Sequence, residues 1–229
     1  MTNPEMHSTR CVYATPVRSR APVLQLVQPA RAQPAILERW PNVREAGIGN
    51  LDAAAAVGRD PFKSPIRLWM EKTERYDLLQ PAPNGEPEPD SAAYWQRLLE
   101  PIVAAHYTLR TGHQVRRTGT LTWYPKHPWM FAAPGREVVG APDVQLLECR
   151  CVGTDAAALW ADGLPDYVRI QMLHQLAVTD AQAVDVVALI GGQELQIHRV
   201  ERDEVEIARL IEAEREFWRC VELDQAPPA

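Results

Sequence analysis

"LLECRC", residues Leu146 to Cys151, is an apolar stretch interrupted by one acid and one base. In an extended chain, side chains alternate between faces. Leu147, Cys149 and Cys151 then share one apolar face, and Glu148 and Arg150 share the other. Opposite charges in the middle of an apolar strand are costly unless they face water, each other or a metal. Two readings follow. Either this is a strand carrying a metal-binding glutamate, or it is a half-buried strand with an incidental ion pair.

The surrounding pattern places this strand among alternating helices and strands. Upstream, "NLDAAAAVG" reads as a short helix ended by Gly58. "KSPIRLWMEKTERY" reads as a second helix, with Ser64 as N-cap and Pro65 at its first position. "PAPNGEPEPD" is a Pro-rich loop. A long amphipathic helix starts at Ser91, with Leu98, Leu99, Ile102, Val103 and His106 on one side and Gly112 as its terminator. Pro101 inside it predicts a kink just after Glu100. A three-strand meander follows in "QVRRTGTLTWY", "WMFAAP" with "REVVG", and "VQLLECRCV". "PDYVRIQMLHQLAVT" is helical. "AVDVVALI" and "ELQIHRV" form a hairpin across Gly191-Gly192, and an acidic-starting amphipathic helix closes the chain.

Composition narrows the function classes. The 229 residues, 46% hydrophobic and 24% charged, describe a soluble globular chain, with no apolar run long enough to span a membrane and no secretory leader pattern. Cys11, Cys149, Cys151 and Cys220 form no CxxC pair, which suits reduced thiols in a cytoplasmic protein and argues against a zinc site. A net charge of −6 argues against wholesale polyanion binding but leaves room for a local basic groove. Residues 1–39 carry five arginines against two acids, several prolines and no periodicity, and read as a mildly basic arm ahead of a folded domain over residues 40–229.

With an acid on the preceding helix and a Glu-x-basic strand, this order resembles the PD-(D/E)xK nuclease core, an α/β (α+β) fold with a central mixed sheet flanked by helices. More specifically it resembles the phage-type recombination exonucleases, the YqaJ and lambda-exonuclease family. The resemblance runs from about Trp40 to Glu222. It is carried in order by "ERWPNVREAGIGNLDAAAAVGRDPFKSPIRLWMEKT", "YWQRLLEPIVAAHY", "PWMFAAPGREVVG", "LLECRCV" and "YVRIQMLHQLAVT". It implies metal-assisted phosphodiester hydrolysis at duplex DNA ends, with Mg2+ or Mn2+ held by carboxylates. It also implies a homotrimer and a single-strand annealing protein as partner. By the same resemblance, Glu100 is the helix carboxylate and Glu148 the strand's metal-binding glutamate. The Cys149 carbonyl is a further ligand, Gln171 lies near the attacking water, Arg150 stands at the lysine position, and Arg44 holds the terminal 5′-phosphate.

Several positions depart from the family pattern. Gly135 stands where the family has its central aspartate, and a glycine supplies no ligand. Arg150 replaces lysine; it can stabilise a phosphate but stays protonated. Leu51 replaces a phosphate-binding serine, and Gln96 replaces the glycine of Trp-Gly. Asp143 and Glu137 are candidate substitutes for the missing acid. The expectation is a family member with hydrolysis weakened or lost, and the alternative is a DNA-end-binding or assembly module without catalysis. His106 and His174 read as packing or surface residues, and Trp123 and Trp129 as hairpin anchors or base-stacking platforms.

Overall fold

The computed structural model of the chain describes residues 46–75 and 90–228. The arm over residues 1–39, Trp40, Arg44 and most of the "PAPNGEPEPD" loop lie outside the described residues. In chain order the elements are β1 (Ile48–Gly49), α1 (Ala53–Ala56), α2 (Pro65–Lys72), α3 (Ala92–Thr111), β2 (Gln114–Arg117) and β3 (Thr122–Trp123). They continue with β4 (Met130–Ala132), β5 (Arg136–Val139), β6 (Leu146–Val152), α4 (Asp166–Thr179), β7 (Ala183–Ile190), β8 (Glu194–Glu201) and α5 (Glu204–Glu222).

Local chemistry sets the helix ends. Ser64 Oγ accepts from the Arg67 N–H at 3.2 Å with Pro65 at the first helical position, and Ser91 Oγ accepts from the Tyr94 N–H at 3.2 Å. Gly112 ends α3 at φ +78°, a left-handed turn that suits glycine. The Asp203 carboxylate accepts from the N–H groups of Val205 and Glu206 at the start of α5.

The main sheet has five strands in the order β2-β5-β6-β7-β8, with only β6 and β7 parallel. The crossover between those two strands is α4, the connection that a parallel pair requires. Helix α3 covers one face, where Val103, Ala104 and Tyr107 pack against Leu147, Cys149 and Val187. Helices α1, α2, α4 and α5 gather on the other face with Leu146, Val184 and Val186. A small sheet, β1-β4-β3, adds Ile48, Met130 and Ala132 to that second core. Each fully buried side chain of this size contributes about 1.5–3 kcal/mol relative to exposure. The mixed sheet between helical layers is the fold class that the sequence implies. Among the described residues no helix is long and apolar enough to cross a membrane.

Four expectations change in detail. "QVRRTGTLTWY" is not one strand: it breaks at Gly119, φ +58°, and its halves join different sheets. "WMFAAP" and "REVV" are likewise divided between the two sheets, at Pro134. Helix α3 turns Val103, Ala104 and Tyr107 inward, leaving Leu98 and Ile102 49% and 60% exposed, because Ala104 allows close approach and Tyr107 donates from its hydroxyl to buried Asp185 at 2.7 Å. The β7–β8 loop has three residues, since Ile190 pairs with Glu194.

His174 on α4 is fully buried, with Nδ1 2.8 Å from Glu214 Oε1 and Nε2 3.0 Å from the Phe131 carbonyl. Both nitrogens face acceptors, so the arrangement requires both to donate, which is the imidazolium form. Burial works against that charge, but Glu214 and the carbonyl outweigh it and raise the pKa. A raised folded pKa stabilises below the unfolded value, about 6.5, and the gain is lost as pH rises through the folded pKa. Urea unfolding is therefore expected to show declining stability as pH rises from 6 towards 9. Glu214→Gln should lose about 3 kcal/mol at pH 6 and flatten that decline; an unchanged pH slope would contradict the pairing.

Candidate active site

Strand β5 pairs with β6 only at Arg136–Leu147 and Glu137–Leu146. Beyond Leu147, β6 keeps β7 on one side, and the other edge is free of β5. Glu148 and Arg150 lie in that half of the strand, on the α4 face, while Cys149 packs on the α3 face. Arg150 Nε stands 3.2 Å from Glu148 Oε1, an ion pair without hydrogen-bond alignment that leaves Nε with no hydrogen-bond acceptor among the described residues. Arg150 Nη2 donates to Gln171 Oε1 of α4 at 2.8 Å, and Gln171 is itself buried. Strand alternation places Glu148 and Arg150 on one face, and the helix brings Gln171 to them. Burial pushes the Glu148 carboxyl above its ordinary pKa; Arg150 opposes this and the Glu100 carboxylate adds to it.

Gly135 lies directly across from Glu148. A Cβ built there would sit 3.7 Å from Glu148 Oε2, in ordinary van der Waals contact, and the backbone is outside the left-handed region. The position therefore has the shape to accept a side chain and lacks only the carboxylate.

Glu100 approaches from α3. Arg117 and Arg136 are cross-strand partners on β2 and β5, and like charges directly opposite one another repel. The Glu100 carboxylate lies between them. Arg136 donates from Nε and Nη2 at 2.5 and 3.1 Å, and Arg117 donates from Nη2 at 2.8 Å. Burial would raise the Glu100 pKa, but the two guanidinium groups overcome it and hold the carboxyl below its usual value.

The Cys149 carbonyl also has a partner. Gln96 Nε2 donates to it at 2.9 Å, and Gln96 Oε1 accepts from the Cys151 N–H at 2.7 Å. One side-chain amide thus serves the β6 edge as a neighbouring peptide group would. Asp143 lies in the bend before β6, bonded to Arg199 of β8 at 2.6 Å. Glu137 is paired with Arg116 across β2 and β5. Leu51 is 51% exposed beside buried Asn50, which accepts from the Ala133 N–H and donates to Gln175, both at 3.3 Å. Trp129 is buried, and Trp123 packs on Phe131 with ring centroids 5.1 Å apart. Sequence reasoning missed the roles of Gln96, Arg117 and Arg136. The adjacent arginines of "QVRR" were the available signal.

A divalent cation needs several convergent oxygen ligands. Here Glu148 is paired with Arg150, Glu100 is saturated by two arginines, and position 135 has no side chain. Among the described residues no group of three His, Cys, Asp or Glu side chains is placed to hold a metal ion. The residues present do not fit a carboxylate-held cation.

Two solved exonucleases share this architecture. The alkaline exonuclease LHK-Exo from Laribacter hongkongensis superposes with a TM-score of 0.62 at 22% identity, covering 82% of this chain and 93% of that one. A phage-related exonuclease from Haemophilus somnus 129PT gives 0.51 at 11% identity, covering 80% and 98%. These likenesses establish the fold. The YqaJ-like viral recombinase domain model matches residues 39–182, and the chain belongs to that family. It is 31% identical over 195 residues to the uncharacterized protein YqaJ of Bacillus subtilis (strain 168), covering 84% of this chain. The chain spans 58% of that relative's length.

Removing the Gln96 amide should expose its importance to the strand edge. Gln96→Ala leaves the Cys149 carbonyl and Cys151 N–H without these bonds, and denaturant unfolding is expected to show a loss of about 1–3 kcal/mol. Wild-type stability in that variant would rule out the bridging role.

Proposed function

We propose that this chain acts at duplex DNA ends as a phage-type recombination exonuclease-like protein whose hydrolytic step is weakened or lost. The observation that carries the reading is Gly135 facing Glu148, with room for a Cβ and no side chain present. Family membership supports the recombination role, and the shared fold of the two exonucleases supports an ancestral nuclease site. In the family reading a divalent metal would supply a polarised phosphoryl oxygen and a hydroxide nucleophile. The residues present offer something different. Arg150 supplies a permanent positive charge suited to a phosphate but takes no proton. Gln171 fixes the position of that guanidinium.

A second reading, a binding or assembly module without catalysis, is favoured by the Glu100 clamp, because both oxygens of that carboxylate already accept from arginine. Recruitment of a single-strand annealing protein, assembly into a homotrimer, a cytoplasmic setting, a basic arm over residues 1–39 and a 5′-phosphate grip by Arg44 belong to the same family reading.

The test is linear duplex DNA with Mg2+ or Mn2+, using wild type, Glu148→Ala and the double variant Gly135→Asp with Arg150→Lys. Wild type is expected to bind the duplex and to degrade it at least about tenfold more slowly than the double variant. Wild-type degradation as fast as the double variant's, and abolished by Glu148→Ala, would overturn the loss of hydrolysis. Absence of duplex binding would overturn the DNA-end role.

A further inference from the structure

Among the described residues, strand β2 is an edge of the main sheet, with no neighbouring strand on its outer side. Its last residues, Arg116 and Arg117, project to opposite faces with side chains 72% and 61% exposed. A groove of 430 Å³ opens here, lined by both arginines, the hydroxyl residues Thr118, Thr120 and Thr122, and Glu137. It adjoins the candidate active site through the backbone: Thr118 Oγ1 donates to the Pro134 carbonyl, and the Thr118 N–H donates to Gly135 O at 3.4 Å. Gly135 is the residue that faces Glu148.

The groove's chemistry is selective. Arg117 donates to Glu100 through Nη2, and its side chain remains 61% exposed. Arg116 is held by Glu137 on its Nε side. The Thr118 and Thr120 hydroxyls are spent on the Pro134 and Thr118 carbonyls, but the two planar guanidinium forks and the Thr122 hydroxyl line the groove and match the oxygens of a phosphodiester backbone, which accept N–H and O–H donors. They do not match a cation. They also do not match an apolar ligand, since the lining has no large apolar side chain.

We infer that the β2 rim is a phosphodiester-binding site, with Arg116, Arg117 and the Thr122 hydroxyl gripping one strand of a duplex beside Gly135 and Glu148. Resting on the DNA-end reading above, the inference specifies where the strand lies. The two guanidinium groups position the backbone; neither is assigned a part in bond cleavage.

Fluorescence anisotropy of a labelled duplex across a salt series tests it. The rim variant Arg116→Gln with Arg117→Gln is compared with Arg209→Gln and Arg215→Gln on the exposed side of α5, which removes the same charge elsewhere. The rim variant is expected to bind at least about tenfold more weakly near 0.1 M salt. Its slope of log K against log salt should shrink by about 2, one unit per lost phosphate contact. The α5 variant should stay within twofold of wild type. Arg116→Lys with Arg117→Lys should recover part of the affinity, showing that the rim variants fold. Equal losses in rim and α5 variants would overturn the site, as would unchanged binding in the rim variant, while duplex binding by wild type would leave the DNA-end reading standing. Displacement of the duplex by polyglutamate as readily as by unlabelled DNA would also overturn it, assigning the groove to acidic protein. If wild type fails to bind the duplex, both the rim assignment and the DNA-end reading fall.

Discussion

Strand β5 leaves β6 after only two residue pairs, and the rest of the site depends on that early separation. A continued ladder would have satisfied the β6 edge with backbone groups and closed the space around Glu148. Instead Cys149 and Cys151 present backbone groups that must find partners elsewhere, since buried unpaired groups cost about 1–3 kcal/mol. Gln96 meets both requirements from α3. The same separation lets the chain bend at Gly135, bringing that residue over Glu148, and admits Glu100 from the opposite side of the sheet.

The charges in this space differ in weight. The Arg116–Glu137 pair is largely exposed and adds little, about 0–1 kcal/mol, to stability. The pair between Glu100 and Arg136 is more shielded and is made through two donors, so breaking it leaves a half-buried charge without its main partner. Glu100 therefore has a structural task before any chemical one: it reconciles two arginines that the β2–β5 register sets opposite each other. A carboxylate engaged in that way is a poor recruit for a metal.

Much of the fold was legible because its signals are local or periodic. Ser64-Pro65, Ser91 and Gly112 mark helix ends by hydrogen bonding and backbone conformation, which a short window of sequence contains. The two faces of "LLECRC" follow from strand alternation alone, and Glu148 pairs with Arg150 as the ion-pair reading required. What was not legible depends on register between distant segments. Gln96 lies more than fifty residues from the strand it bridges, as the separation of 53 between donor and acceptor shows. Arg117 and Arg136 meet only once β2 and β5 are aligned, and Glu214 finds His174 only when α5 crosses α4. The buried face of α3 escaped for a similar reason. Leu98 and Ile102 look more apolar than Ala104, but the helix approaches the sheet where the side chain is small.

The sign of the local charge links these observations to function. Arg117, Arg136 and Arg150 bring three guanidinium groups to a space that holds two carboxylates, Glu100 and Glu148. With both acids ionised, one positive charge remains; burial favours the neutral form of Glu148, and each protonation adds one more. A divalent cation entering here meets net repulsion at every protonation state, and attraction inside a half-buried site decays slowly enough for that repulsion to count. A phosphate meets the reverse. The alternation that first set Glu148 and Arg150 on one face thus leads to a site built around bound guanidinium groups. That charge balance favours an anionic oxygen ligand over a cation, whether or not a bond is subsequently broken.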